Sequence, residues 1–384
     1  MMMKIFKKVL RSCFIILSLS LMVIISFIAY HSYLEHKSVK INVYSRPALI
    51  KAADGNSISP SYNSSYAYKK RLSERYPNIY QAAFDAPSQS HIGSNVIIPG
   101  LVVTRVYDYT KKKITEADEM TPQGITIADK YILVSAYDAK NRHASVIYVI
   151  NSHTQKYVKT IQVPGRPHLG GITYDPVAHN IWITGRQNGQ AALMSFSLKK
   201  LKRYDYKKKH KSVQYDHIVT LPTVERASCV TYYDNQLFIC LFNKYCKGQI
   251  VSYPISRTKP YKGTIISDQI KAVTGEVSWA LGSGSAGLDP QIQGLAFYQN
   301  RIILSQSYGS QDSKLYFYST SALNNLDNSK ADKVVNLPPY LEQIHAVDGQ
   351  LLMLFESGSK AYARDNMMVM DRILSVNINA LLGS

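Results

Sequence analysis

The chain predicts an all-β propeller, most simply five four-stranded blades, behind an N-terminal transmembrane helix. Three observations lead there: a strand–turn–strand phrase that recurs along the sequence, an odd strand left over at each end of the repeating region, and one uninterrupted apolar run near the N-terminus.

The repeat is read first. Gln123–Asp129, Gly170–Asp175, Ser228–Asp234, Gln293–Tyr298 and Gln343–Asp348 each begin a unit. Each leads through turn residues into a second apolar strand: Tyr131–Tyr137, Ile181–Thr184, Gln236–Phe242, Arg301–Ser307 and Gln350–Glu356. Asp and Asn at the turns, with β-branched and aromatic residues on either side, are hairpin chemistry. Further short strands follow in each unit. A lone four-stranded sheet leaves both faces uncovered, so such units must stack about a common axis. The last unit supplies only three strands, ending at Arg372–Asn377, and Leu101–Tyr107 stands alone before the first. Pairing these two strands closes the ring without a free edge. Tyr261–Trp279 leaves room for a sixth blade as the alternative.

At the other end, Lys4, Lys7, Lys8 and Arg11 precede the uncharged stretch Ser12–Tyr30. A spanning helix needs roughly 17–25 apolar residues. Flanking positive charge holds its own side in the cytoplasm. Residues 1–30 are therefore expected to be a cytoplasmic tip and signal-anchor that joins the chain to the cell membrane through residues 12–30, with the body outside; cleavage and secretion is the alternative. Residues 31–95 are polar and irregular apart from a short helix near Tyr66–Tyr76, which Pro77 limits, and read as a stalk. Residues 96–384 are the propeller.

Net charge is +19, and Lys111–Lys113 and Lys199–Lys211 are local basic runs. They favour a polyanionic partner at the cell envelope, a wall polymer or anionic lipid, and no nucleic-acid motif accompanies them. Among the cysteines beyond the apolar run, the Asp234-Asn235 turn sets Cys229 opposite Cys240, whereas Cys240 with Cys246 would staple the next turn; either pair could form a disulfide outside the cytoplasm. Their spacing does not make a zinc site. The GxxxxGK, HExxH and GxSxG signatures are absent, which argues against nucleotide hydrolysis, zincin and serine-hydrolase chemistry. No metal site or cofactor is specified.

The phrases TPQGITIADKYILVSAYD, VPGRPHLGGITYD, IQGLAFYQNRIILSQSYGS and LPPYLEQIHAVDGQLLMLFESGSKAY resemble those of exported bacterial β-propellers of the quinoprotein/lactonase-like kind, a group without an assigned reaction. The resemblance implies fold and location. A second resemblance, to five-bladed glutaminyl cyclases, rests on Gln293-Gly294-Leu295 followed by Ser305–Ser310; their F-G-E-G motif has its nearest counterpart in Glu342-Gln343-Ile344, with Gln in place of a Gly.

In a propeller the loops leading into first strands and those joining second to third strands emerge on one face. The first set brings Gln123, His168, Glu225, Arg226, Gln293, Glu342 and Gln343; the second brings Tyr137, Asp138, Arg186, Asn243, Tyr308, Asp312, Glu356 and Lys360. Glu342 and Glu356 are the candidate catalytic pair, since adjacent carboxyls split into acid and base. Gln123, Tyr137, His168, Arg186, Arg226, Gln293 and Tyr308 are the candidate ligand-binding residues. The function expected is an envelope module that binds a polymer or partner at this mouth; the alternative is an enzyme there, by acyl transfer of the glutaminyl-cyclase type or by lactone hydrolysis.

Overall fold

The computed structural model describes residues 2–37, 50–51, 57–58, 62–88, 90–205, 211–222, 224, 226–241, 244–245, 248–266, 268, 289–322, 326–364 and 367–383. Five antiparallel sheets form the body, and each is opened by an innermost strand: Met120–Ala128, Ile172–Asp175, Ala227–Tyr233, Ile292–Tyr298 and Leu341–Val347. These five strands touch in a circle, each against the next and the last against the first. Blades I, II, IV and V have four strands. Blade III has three among the described residues, and 269–288, which include most of the segment that left room for a sixth blade, lie outside them.

Five of the apolar clusters among the described residues lie one at each blade junction, and a small sixth joins Ala363 and Val369 to Tyr62. Leu133, Ile147 and Val149 of blade I meet Ile172, Ile181 and Ile183 of blade II. Trp182 and Leu193 meet Val230 and Ile239 at the next junction, and Cys229, Phe238 and Cys240 meet Leu295, Leu304 and Tyr316 at the third. The remaining two join blade IV to V and blade V to I. Each sheet thus buries both faces against neighbours, which alternating sequences of this kind require.

The ring is closed by a different strand from the one the sequence suggested. Asn95–Ile97, not Leu101–Tyr107, lies against the third strand of blade V, with Arg372 opposite Ile97 and Leu374 opposite Asn95. Thr104–Asp108 instead forms a hairpin with Lys113–Ala117 outside blade I. The reason is local: Asp108 accepts from the amides of Thr110 and Lys111 and caps the turn, and a short hairpin closes at less entropic cost than a pairing across the whole chain. The hairpin is tied to blade I by buried His143, whose Nδ1 is 2.7 Å from Asp138 and whose Nε2 is 2.8 Å from Thr115.

The described part of the expected stalk folds onto the body. Helix Ser65–Arg75, capped by Ser64, buries Tyr68 and Leu72, and Pro77 opens a second helical stretch that buries Ile79, Ala82 and Ala83. All five pack in the cluster that joins blades IV and V, so apolar residues at helical spacing decide against a free tether. Part of the basic run also folds: Leu198–Arg203 is a short helix whose Lys200 and Lys202 pair with Asp216 and Asp129, while 206–210 lie outside the described residues. Met2–Lys37 is one continuous helix on which Phe14–Tyr30 is exposed throughout. Among the described residues no helix is long and apolar enough to cross a membrane.

Two glycines show how closely the inner strands approach. A Cβ on Gly171 would lie 2.5 Å from the Val230 amide nitrogen and 2.8 Å from the Cys229 Cα, and one on Gly124 would lie 2.7 Å from Gln343 Oε1 and 2.8 Å from the Ile172 amide nitrogen. At Gly171 the obstacles are backbone, so Gly171→Ala must part blades II and III. We expect a loss of about 2–3 kcal/mol in chemical unfolding, as for overpacked cores; an unchanged midpoint would disprove this contact.

Candidate functional site

A cavity of about 480 Å³ opens at the mouth of the ring. Its floor is shaped by a recurring irregularity. In blades I, III, IV and V the innermost strand loses register at the same place, between Pro122 and Gly124, Ala227 and Cys229, Ile292 and Gly294, and Leu341 and Ile344. A bulge leaves a residue unmatched and re-aims it. Gln123, Ser228, Gln293 and Glu342 stand at these bulges and line the cavity.

At the centre of the floor is a carboxyl pair. Glu342 comes from the bulge of blade V. Glu356 comes from the end of that blade's second strand, where its amide donates to Tyr340 O at 2.9 Å. The two side chains hydrogen-bond to one another, and Gln123 Nε2 donates to Glu356 Oε1 at 2.6 Å. Both carboxyls are buried, at 4% and 8% exposure. Burial pushes both pKa values up. Glu356 is raised to about 7, held from rising further by its bonds from Gln123 and Glu342. Glu342 is raised well above the carboxylate range by burial and by the charge of Glu356. Near neutrality the pair therefore holds one proton firmly between its two carboxyls while a second is gained or lost.

Around this floor, His168 leads into blade II through Leu169, whose φ is +53°. The imidazole stacks on the Tyr137 ring at 4.1 Å. It lines the cavity as an exposed residue, yet the protein mass around the ring, and then Arg226, lower its pKa and keep it neutral at pH 7. The Tyr137 hydroxyl meets that of Tyr362 at 3.1 Å, and Tyr362 packs edge-on against Tyr340. Burial, followed by the negative charge of Glu356, raises the pKa of Tyr137. Tyr308 and Gly309 form another side, with Lys244 Nζ 4.6 Å from the Tyr308 ring centroid.

Gln123, His168, Arg186, Arg226, Gln293, Tyr308, Glu342 and Glu356 thus share one cavity wall, and Tyr137 supports it from behind through His168 and Tyr362. Other expected rim residues turn away. Asp312 accepts from Tyr76 Oη at 2.7 Å, Lys360 binds Asp118, and Asp138 holds His143. Glu225 and Asn243 lie outside the described residues. Gln343 points beneath the floor, where its amide bonds backbone of blades I, II and III.

Sequence reasoning missed Tyr340 and Tyr362, both cavity-lining. Tyr340 could have been found by position alone, directly before a first strand; the structure holds it there at positive φ, +64°, as it holds Leu169 and Gln291. An L-residue held there costs about 1–2 kcal/mol and marks a constrained mouth. Tyr362 lies in the excursion between the second and third strands of blade V, and one Tyr among 29 carries no such mark.

Among the described residues no group of three or more His, Cys, Asp or Glu is placed to hold a metal. Cys229 and Cys240 face each other across the blade III hairpin, as the turn predicted, but both are free thiols, and Cys246 lies outside the described residues. Bonding to Cys229, then burial, raises the Cys240 pKa, which suppresses the reactive thiolate. Native protein treated with iodoacetamide is expected to keep both thiols, with alkylation only after unfolding; rapid alkylation of native protein, read by peptide mass spectrometry, would count against this packing.

No protein-family model and no curated protein sequence matches the chain. Solved structures that resemble it include hydrazine synthase of Kuenenia stuttgartiensis, at 12% identity and a TM-score of 0.35, over 75% of this chain and 85% of that one. At that level of likeness the neighbour says nothing about ligand or chemistry here, and what stands is the architecture itself: a five-bladed β-propeller with a carboxyl pair at its mouth.

Proposed function

We propose that the protein is an acid–base enzyme working at the propeller mouth on a polar ligand, by acyl transfer or hydrolysis. The observation that carries this reading is the hydrogen-bonded Glu342–Glu356 pair on the cavity floor, one member poised near pH 7. Glu356, ionised, takes the proton of an attacking N–H or O–H group as that atom bonds to the carbonyl carbon. Glu342, protonated, gives its proton to the leaving group as the old bond breaks. Their mutual hydrogen bond lets the proton return, and the cycle balances without a co-reactant. Gln293, whose side chain makes no hydrogen bond among the described residues, supplies an amide donor for the substrate carbonyl.

A second reading, an envelope module that binds and does not transform its ligand, is supported by Arg226, whose side chain makes no hydrogen bond or ion pair among the described residues. In both readings Phe14–Tyr30, exposed apolar side chains on every face of one helix, anchors the chain in the cell membrane with the propeller outside. The basic surface then faces anionic lipid or wall polymer.

The deciding experiment incubates the purified full-length chain with peptides bearing N-terminal glutamine and with a set of lactones, followed by mass spectrometry. Turnover is expected to rise as pH passes upward through about 7, where Glu356 ionises, and to vanish in Glu356→Gln and Glu342→Gln. Ligand binding that both variants retain in full, with no turnover in wild type across either set, would overturn catalysis in favour of the binding module.

A further inference from the structure

The charge around the mouth is divided. On the blade V side Lys360 and Lys140 bind Asp118, Arg364 donates to the carbonyls of Ala361 and Ala363, and the glutamates bind each other and Gln123. On the blade II and III side two guanidiniums line the cavity without a counterion among the described residues. Arg226 makes no polar bond there, and Arg186 spends a single N–H on Gly189 O at 2.6 Å. Guanidinium presents five donors in a planar fork suited to carboxylate and phosphate. Both side chains are exposed, so they cost the fold little and remain available. His168, between the Arg226 side and Tyr137, adds a neutral ring that can donate or accept.

Beside the cavity lies a second cleft of about 590 Å³, and His168 and Arg186 line both. Its far side carries Arg166, Gln214, Tyr215 and the exposed Ile218. A ligand confined to the mouth would leave this cleft empty, whereas a chain could run through it.

We propose that the mouth takes the end of an elongated anionic ligand, whose first unit lies over Glu342 and Glu356, whose carboxylate or phosphate is gripped by Arg226 and Arg186, and whose next units continue past His168 into the outer cleft. This rests on the acid–base reading for the role of the first unit only; the anion grip stands on the arginines. The ligand is oriented by its charge: the anion sits on the arginine side, and the uncharged reacting group is left to the glutamates, where a second negative charge would be repelled.

Binding to the full-length chain in detergent tests this by calorimetry. One arm uses glycerol phosphate and its phosphodiester-linked trimer, the other glutarate and tri-glutamate, with glycerol and maltotriose as uncharged controls. At least one anionic arm is expected to bind with the trimer at least tenfold tighter than the monomer, and the arm that binds identifies phosphate or carboxylate. Arg186→Gln with Arg226→Gln should weaken both lengths at least tenfold, and Ile218→Glu should remove the trimer's advantage while sparing the monomer. Uncharged and anionic probes binding alike, or the double arginine variant binding as wild type, would overturn the proposal. The glutamate variants separate the two ideas. Anion binding retained in Glu342→Gln and Glu356→Gln supports this inference even if turnover is never found, whereas turnover that is lost in those variants but indifferent to the arginines leaves the acid–base reading standing and this one fallen.

Discussion

Glu356→Gln is expected to make the protein more stable at pH 8 and useless as a catalyst. Folding holds Glu356 at about 7, above its ordinary 4.5, because burial penalises the carboxylate. A carboxyl raised in the folded state keeps its proton when the unfolded chain has lost it. The stability this proton brings is full below about pH 4.5 and drains away as pH climbs through about 7. By pH 8 the wild type has given up about 3 kcal/mol on this account, since a tenfold change in proton affinity is worth about 1.4 kcal/mol. Glutamine does not titrate. Its side-chain oxygen can still accept from Gln123 Nε2, and its amide can donate to Glu342, so the geometry survives. Melting followed by circular dichroism should show a variant several degrees above wild type at pH 8, with the gap closing toward pH 4.5. Glu342→Gln should behave similarly, and the double variant should gain less than the sum, because the two groups share one bond and one proton. A pair kept only to satisfy loop amides predicts the reverse, a variant weaker at every pH. Stability gained where activity is lost is what a site held under electrostatic strain produces.

How far this site could be read ahead of the structure follows from which forces are local. The blades were legible because a hairpin is a local event: Asp234-Asn235 and Asp348-Gly349 announce their turns, and apolar runs on each side follow directly. The convergence of Glu342, Glu356, Gln123 and His168 was legible once the propeller was granted, because that fold sends particular loops to one face. The closing strand was not. Asn95–Ile97 is three residues long and unremarkable, while Leu101–Tyr107 is longer and richer in β-formers; the choice between them was made by Asp108 capping a nearby turn. Nor was the burial of the helix Ser65–Arg75 on blades IV and V legible, since a partner remote in sequence leaves no trace in local pattern. The burial of Gln343 was not legible either: counted back from the hairpin turn, and just past the bulge common to these blades, it occupies the place that Gly124 and Gly294 hold in blades I and IV, and nothing local announces a buried glutamine where its counterparts are glycine.

That buried glutamine gives the largest stability effect we expect. Gln343 is 1% exposed and sits beneath the floor of the mouth, where the glycine at position 124 leaves it room. Its Oε1 accepts from the amides of Ile125 at 3.2 Å and Ile172 at 2.9 Å, and its Nε2 donates to the carbonyls of Ile172 and Val230, each at 2.9 Å. One side chain of blade V therefore closes four backbone bonds in blades I, II and III at the axis. Gln343→Ala strands those groups and opens a cavity. With each stranded buried group costing about 1–3 kcal/mol, the loss should be at least about 4 kcal/mol. Gln343→Glu keeps both acceptors but turns an ionised oxygen toward two carbonyls; it should be as weak at pH 8 and recover on acidification, when a protonated carboxyl can donate once more. Urea unfolding of the three proteins at pH 5 and pH 8 reads this directly, and an alanine variant within about 1 kcal/mol of wild type would refute the axial role. The consequence reaches the site, because Glu342 is the next residue. Water admitted where Gln343 stood would restore solvation to the carboxyl pair, and Glu356 would titrate below its present value of about 7. A downward shift of the pH dependence in Gln343→Ala, measured on whatever fraction remains folded, would show that the plug which holds the ring together also sets the acidity of its mouth.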